Sequence, residues 1–103
     1  MFGLLKKLFG PSIDVKQLLD DGAVLVDVRS PSEYKAGHVQ GSMNIPLPDI
    51  AGKATKLSKF DKPIITCCES GMRSGSAART LKSKGLEAYN GGAWRSVSAK
   101  KKE

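Results

Sequence analysis

Two adjacent cysteines, Cys67 and Cys68, stand where a short apolar run ends and a turn-forming sequence begins. The turn contains Gly71 and leads through Arg73 into a plausible helix from Ser74. Backbone N–H groups of a compact loop and of a first helical turn can converge on an anion. Because the same donors favour a thiolate, this arrangement predicts a nucleophilic sulfur inside an anion-binding loop.

The pair of cysteines leaves two ways to count this loop. Four residues separate Cys68 from Arg73, whereas five separate Cys67 from Arg73. The shorter loop suits one terminal sulfur atom, and the longer one suits a phosphate or arsenate with its four oxygens. The longer loop resembles those of phosphatases and arsenate reductases, so a Cys67-dependent enzyme of that kind is left open beside one that uses Cys68. Adjacent cysteines bridge only with strain, and they lack the spacing of a zinc site.

Composition limits the class of protein. The chain has 103 residues, 40% of them hydrophobic and 26% charged, which predicts one small globular domain. Its net charge is +7, of which the first ten residues carry +2 and the last nine carry +3. Because the basic residues lie mostly in the tails, we expect no dedicated nucleic-acid surface. Free paired thiols favour a reducing compartment, so we expect a cytoplasmic protein.

The N-terminal segment, residues 1–12, is amphipathic. Its large apolar side chains fall on one side of a helical wheel, and Lys6 and Lys7 fall outside that arc. The lysines interrupt any signal-peptide core, and no run approaches transmembrane length. We expect a helix that docks on the domain or frays, with a weak membrane-surface or partner-binding role as the alternative, and no stable membrane insertion.

The elements that must position the cysteines alternate along the chain. A nearly continuous apolar run, 23–28, predicts a buried parallel strand, and Ser30 with Glu33 predicts a capping box. The other predicted strands cover 42–47, 63–67 and 86–90, and the predicted helices begin at Asp14, Ser30, Asp49 and Ser74. This alternation is typical of an α/β domain with a largely parallel sheet. The cysteine loop would then follow the C-terminal end of a strand, where such sheets place their sites.

Several motifs resemble those of the rhodanese family, in matching order and spacing over about residues 13–97. They are Val24–Arg29, Glu33-Tyr34, Gly37–Val39, Gly41, Asn44–Pro46, the loop Cys68–Ser74, and Gly91-Gly92 with Trp94. The resemblance implies a single rhodanese-like domain, a three-layer α/β/α structure with a mostly parallel central sheet. We place this domain at residues 13–97, between the N-terminal segment 1–12 and a basic solvated tail, 98–103.

The resemblance also implies an activity. A member of this family would take a sulfane sulfur from thiosulfate or a related small anionic donor as a persulfide on Cys68. It would then pass that sulfur to a thiol or cyanide-type acceptor, possibly a redox protein, with no metal or organic cofactor. The motif context favours Cys68 over Cys67 as the nucleophile. A non-catalytic module that binds a partner through its basic tails is the other alternative, although such a module has no need of a reactive thiol. We expect a monomer.

Each residue of the loop has an expected role. Cys68 and Arg73 are the predicted catalytic residues. The predicted substrate-binding residues are Glu69, Ser70, Gly71, Met72, Arg73 and Ser74, whose loop backbone forms the cup, together with Arg29 as a second guanidinium at the catalytic edge. Glu69 is expected at the rim, where its carboxylate would repel anions. Asp27, His38 and Trp94 are interpreted as structural.

Overall fold

A four-stranded sheet forms the centre of the domain. The computed structural model describes residues 13–102. Its strands are β1 (Val24–Asp27), β2 (Met43–Asn44), β3 (Ile64–Cys68) and β4 (Ala88–Ala93). They are all parallel, in the order β2-β1-β3-β4, so β3 is an interior strand with β1 and β4 on either side. The predicted N-terminal segment 1–12 lies outside the described residues.

Five helices of the described residues surround the sheet. They are α1 (Val15–Asp20), α2 (Pro31–Ala36), α3 (Ile50–Ser58), α4 (Met72–Ser83) and α5 (Trp94–Lys102), and a short 3₁₀ turn, Leu47–Asp49, precedes α3. One face of the sheet is covered by α3 and α4, and the other by α1 and α5. The predicted three-layer α/β/α architecture is therefore confirmed.

Local sequence signals explain two of the helix starts. The Asp14 carboxylate accepts a hydrogen bond from the backbone N–H of Gln17 at 3.0 Å and so caps α1. At α2, the Ser30 side chain accepts from the Glu33 backbone while the Glu33 carboxylate accepts from the Ser30 backbone. This is the predicted capping box, and it fixes Glu33 near the carboxyl end of β1.

The core is divided by the sheet into two apolar clusters. The cluster under α3 and α4 contains Val26, Ile50, Leu57, Ile64 and Leu81, and the cluster under α1 and α5 contains Val15, Leu25, Ile65 and Val97. Side chains alternate along β3, so that Thr66 and Cys68 face α4 while Ile65 and Cys67 face the opposite cluster. The two cysteines therefore lie on opposite faces of the sheet.

Four element boundaries differ from the prediction. Helix α4 begins at Met72, two residues before the predicted Ser74, because the loop closes into the helix without an intervening turn. Asp49 belongs to the 3₁₀ turn and makes no side-chain cap bond to α3. Strand β2 is only two residues long, and β4 runs on through the two glycines to Ala93.

The predicted basic tail, 98–103, is helical as far as the structure describes it, to Lys102. Helix α5 starts at Trp94, buries Val97 and continues to Lys102, so no break occurs at residue 97. The alanine and lysines of its second half are strong helix formers, and they extend a helix that the first turn has already anchored. The lysines themselves, Lys100–Lys102, are exposed.

Candidate active site

The loop between β3 and α4 contains only three residues, 69–71. Gly71 adopts φ +100°, a left-handed conformation, and immediately precedes the first residue of α4. A Cβ added to Gly71 would lie 3.4 Å from the Cα of Gly92 on β4. Both the backbone conformation and the close approach of β4 favour glycine here, and together they turn the chain sharply at the end of the strand.

The sulfur of Cys68 lies in a ring of hydrogen-bond donors. The backbone N–H of Gly71 lies 3.0 Å from Sγ and that of Ser74 lies 3.4 Å away, while the Ser74 hydroxyl oxygen is 3.3 Å away. Burial raises the pKa of the Cys68 thiol, but hydrogen bonds from the Ser74 hydroxyl and from the N–H groups of Ser74, Gly71 and Ser70 outweigh it, so that the net pKa is lowered. The arrangement therefore stabilises a thiolate at Cys68.

Cys67 has the opposite environment. Its side chain has no exposed surface and packs with Val15, Leu25, Ile65 and Val97. Burial, followed by the negative charge of Asp27, raises the pKa of its thiol from 9.0 to about 12. Because the protonated thiol faces a closed apolar cluster, Cys67 has the properties of a small packing residue.

Arg73, a predicted catalytic and substrate-binding residue, forms an ion pair in the structure. Its guanidinium donates to both carboxylate oxygens of Glu33, at 2.7 and 2.9 Å. The hydrogen bonds from Arg73, together with those from Ser30, lower the pKa of Glu33 to about 2. Glu33 thus both caps α2 and holds the end of the cysteine loop, a long-range contact that the sequence pattern did not predict. Arg73 lies at the site as one half of an ion pair.

Arg29 does not present a free guanidinium to the site. It is 3% exposed and donates to the carboxylate of Asp27, with a shortest distance of 2.7 Å, and to the backbone carbonyls of Glu33 and Gly37. The predicted substrate-binding role of Arg29 is therefore not what this geometry provides. Asp27 and Arg29 form a buried pair that ties the end of β1 to α2. A structural role was expected for Asp27 but not for Arg29.

Glu69 stands at the rim of the loop, but its charge is paired. The Arg95 guanidinium donates to its carboxylate at 2.6 Å, and the indole N–H of Trp94 donates at 3.2 Å. The centre of the Trp94 ring lies 4.8 Å from the guanidinium carbon of Arg29 and 4.6 Å from that of Arg95. The loop is therefore tied to the first turn of α5 through Glu69, in addition to its link with α2 through Arg73.

The other predicted loop residues occupy the mouth of the site. Ser70 is exposed, and its backbone N–H contributes to the lowered pKa of Cys68. Met72, at the start of α4, is 81% exposed. A cleft of about 280 Å³ opens beside the loop, and its lining residues are Arg29, Glu33, Ala36, Gly37, Glu69, Trp94 and Arg95.

Sequence reasoning missed Asn90. Its side-chain carbonyl accepts from the Ser74 hydroxyl at 2.6 Å, and its amide donates to the Gly71 carbonyl at 3.0 Å. Asn90 lies on β4, in register with Thr66 of β3. Asn90 is the last residue of the strand predicted at 86–90, and a polar residue at that end of a parallel strand is the signal that could have identified it.

Residues 13–102 contain neither a metal-binding cluster nor a membrane-spanning helix. No group of three or more histidine, cysteine, aspartate or glutamate side chains in that range could hold a metal ion. In the same range, no helix has the length and apolar character needed to cross a membrane.

The family model described as the Rhodanese-like domain matches residues 13–96. The chain belongs to the rhodanese-like family. The resemblance inferred from the motifs is thereby confirmed, and with it the fold class.

Individual relatives agree with this assignment. The rhodanese-like domain is 42% identical over 69 residues to the protein YqhL of Bacillus subtilis. The aligned region covers 66% of this chain and 54% of YqhL, so the chain spans about half the length of that relative. It is 38% identical over 93 residues to the thiosulfate sulfurtransferase GlpE of Pseudoalteromonas translucida, covering 84% of this chain and 88% of GlpE. Among solved structures, the human single-domain sulfurtransferase TSTD1 superposes with a TM-score of 0.70 and 27% identity, covering 91% and 98% of the two chains.

Proposed function

We propose that this protein is a thiosulfate sulfurtransferase-type enzyme that carries a sulfane sulfur as a persulfide on Cys68. One observation carries the proposal: the Cys68 sulfur alone of the two thiols lies within hydrogen-bond distance of two backbone N–H groups and a hydroxyl group. Such donors stabilise the thiolate that attacks and also a negative charge that develops just outside it. The relatedness to GlpE supports the same reaction class.

The first half-reaction transfers one sulfur atom to the enzyme. The Cys68 thiolate attacks the outer sulfur of thiosulfate, a new S–S bond forms, and the S–S bond to the sulfite group breaks. Sulfite leaves with the bonding electron pair, and the negative charge of the thiolate passes to the outer sulfur of the persulfide. The N–H groups of Ser70 and Gly71 line the loop in which that charge would lie.

The second half-reaction returns the enzyme to its starting state. A thiolate or cyanide acceptor attacks the outer sulfur, and Cys68 leaves as the thiolate that the loop already stabilises. The lowered pKa of Cys68 serves both steps, because it increases the fraction of thiolate at a given pH and also makes that thiolate a better leaving group. We propose a reducing compartment such as the cytoplasm, since the reaction consumes a free thiolate.

The backbone of the loop supplies most of the anion-binding capacity in this proposal. Arg73 and Arg95 are each bound by a carboxylate, from Glu33 and Glu69 respectively, so their charges are largely compensated. We infer that Arg73 contributes by fixing the loop and by a residual positive potential. Its role in binding the donor is smaller than a free guanidinium would provide.

Access to the sulfur requires a movement of the loop. Cys68 has no solvent-exposed surface in this conformation, whereas Glu69 and Ser70 directly after it are exposed. The two ion pairs at the ends of the loop are themselves partly exposed and therefore weak. We propose that a displacement of residues 69–71 admits the donor and leaves the helix and strand in place.

A steady-state assay tests this function. With thiosulfate and cyanide as substrates, the wild-type protein is expected to form thiocyanate and sulfite, and Cys68→Ser is expected to reduce turnover at least about a thousandfold by removing the nucleophile. Cys67→Ala is the matched control, because it removes the neighbouring thiol from the opposite face of the sheet and should retain turnover. Full activity in Cys68→Ser, or its loss only in Cys67→Ala, would overturn the proposal.

A further inference from the structure

The Ser74 hydroxyl lies between two groups that compete for its single proton. Its oxygen is 2.6 Å from the side-chain carbonyl oxygen of Asn90 and 3.3 Å from the Cys68 sulfur. A hydroxyl group donates only one hydrogen bond, so it cannot donate to both at once. The shorter distance shows that, in this conformation, the proton is directed toward Asn90.

The orientation of the Asn90 amide is fixed from two sides. Its carbonyl oxygen also accepts from the backbone N–H of Gly92 at 2.9 Å, while its NH₂ group donates to the Gly71 carbonyl at 3.0 Å. A flipped amide would place donor against donor and acceptor against acceptor at these contacts. The group facing Ser74 is therefore an acceptor.

Packing against α4 also positions this amide. A Cβ added to Gly75 would lie 3.1 Å from the Asn90 nitrogen, so the amide occupies space that a side chain at residue 75 would take. Ser74 itself is fully buried, and its backbone carbonyl is held by the Thr66 hydroxyl at 2.7 Å. The hydroxyl group of Ser74 can rotate, but its oxygen atom cannot move far from either partner.

We propose that Asn90 is a positioning residue of the sulfur-transfer site, whose side-chain carbonyl competes with the Cys68 sulfur for the proton of Ser74. When Cys68 is a thiol, Ser74 donates to Asn90 and its oxygen can accept the S–H proton. When Cys68 becomes a thiolate, the hydroxyl turns to the sulfur, and Asn90 keeps the N–H of Gly92 as its donor. Strengthening or removing the acceptor at residue 90 therefore changes the ease of thiolate formation. This inference rests on the proposed function of Cys68 as the nucleophile.

Other charged and titratable groups surround Cys68 but do not share this contact. They are Arg73 of α4 with Glu33 of α2, Asp27 and Arg29 at the end of β1, Cys67 of β3, and Glu69 of the loop. Among the described residues, none of them is hydrogen-bonded to the Ser74 hydroxyl. Their effects on Cys68 should be unchanged by removal of that hydroxyl, which allows the experiment to separate them from Asn90.

A double-mutant cycle on the alkylation of Cys68 by iodoacetamide tests the proposal. The rate is measured against pH for Asn90→Asp in the wild-type protein and in Ser74→Ala. A carboxylate is the stronger acceptor, so Asn90→Asp should raise the alkylation pKa by roughly one unit in the wild type. In Ser74→Ala the shift should fall to less than half of that, because only the added charge and the lost Gly71 contact remain. Asn90 is exposed, so its variants should fold.

A second variant, Asn90→Leu, should change the Ser74-dependent part of the Cys68 alkylation pKa in the opposite direction. Asn90→Leu removes the acceptor, so the part of its pKa shift that depends on Ser74 should be a decrease. The proposal would be overturned if each Asn90 variant shifted the pKa equally in the wild-type protein and in Ser74→Ala. It would also be overturned if the Ser74-dependent part of the shift had the same sign for Asn90→Asp and Asn90→Leu. Alkylation needs no sulfur donor, so this experiment is independent of the transfer reaction. If the double-mutant cycle gives the expected pKa shifts but the wild-type protein is inactive with thiosulfate, the proposed function is wrong and the role of Asn90 stands.

Discussion

Cys67 and Cys68 are consecutive residues of one strand, yet their thiols have opposite chemical properties. Cys68 faces α4 and the donors of the loop, which lower its pKa. Cys67 faces the apolar cluster under α1 and α5, where burial raises its pKa to about 12. Both residues are cysteines, so the difference between their pKa shifts comes from their surroundings. The period of two along a β-strand assigns each thiol to a face, and the end of the strand supplies donors to only one of them.

The same comparison shows why Cys67 does not pair with Cys68. A disulfide between the two residues would need their side chains to meet, and they point to opposite faces of the sheet. Cys67 is therefore excluded both as a competing nucleophile and as a resolving thiol while β3 keeps its structure. The following four changes would break or sharpen this distinction.

Removal of the hydroxyl group beside Cys68 should have the largest effect. Ser74→Ala deletes one donor and keeps the two backbone N–H groups, so the alkylation pKa of Cys68 should rise. A lost hydrogen bond to a charged group is worth about 1.5 kcal/mol, which corresponds to a rise of roughly one pKa unit. The check is the pH profile of the alkylation rate. An unchanged profile would mean that the backbone alone stabilises the thiolate.

The environment of Cys67 should appear in the stability of the protein at alkaline pH. Because its folded pKa of about 12 lies above the value of 9.0 expected in the unfolded chain, its contribution to stability is complete below pH 9 and is lost as pH rises toward 12. Between pH 7 and pH 10, wild type should lose about 1 kcal/mol more free energy of unfolding than Cys67→Ala. Urea unfolding at both pH values measures this, and equal losses in the two proteins would contradict burial of the thiol.

The negative charge of Glu33 should have a moderate effect on the binding of thiosulfate. Glu33→Gln keeps the capping box and a hydrogen bond to Arg73 but removes the compensating negative charge. Arg73 should then favour both the thiolate and the donor, and the KM for thiosulfate should fall roughly threefold at low salt. Ser30→Ala, which weakens the cap of α2 and keeps the ion pair, is the control. A similar fall in KM for that variant would show that movement of the helix is responsible.

The smallest effect is expected at Glu69. An unpaired carboxylate at the rim would repel a divalent anion, and its neutralisation would lower the thiosulfate KM a few-fold. Here Arg95 and Trp94 bind the carboxylate, and Glu69→Gln would release the Arg95 charge into solvent, so the fall in KM should be less than about twofold. Steady-state kinetics at low and high salt measure it. A loss of turnover with every donor and acceptor would place Glu69 in the chemistry itself.

Much of this site was predictable from local sequence. The alternation of apolar runs and helix caps predicted the parallel sheet, and the run into Cys68 followed by Gly71 predicted a loop at the end of an interior strand. Capping boxes and strand periodicity are local, so they can be recognised without knowledge of the fold. The family motifs then selected Cys68, a preference that its hydrogen bonds to Gly71 and Ser74 support.

The parts that escaped prediction depend on long-range pairing. Arg73 meets Glu33 across 40 positions, and Glu69 meets Arg95 across 26. No periodicity in one sequence records which charges meet, so both loop residues were expected to carry unpaired charge. Asn90 was missed for the same reason, since its importance arises only when β4 pairs with β3.

Mass spectrometry of the protein after incubation with thiosulfate tests the central claim most directly. The wild-type protein should gain one sulfur atom, about 32 Da, because the nucleophile keeps the transferred sulfur as a covalent persulfide. Fragmentation should place that mass on Cys68, and Cys67→Ala should gain it equally well. An added sulfur located on Cys67, or one that persists in Cys68→Ser, would contradict the assignment of opposite properties to the two thiols.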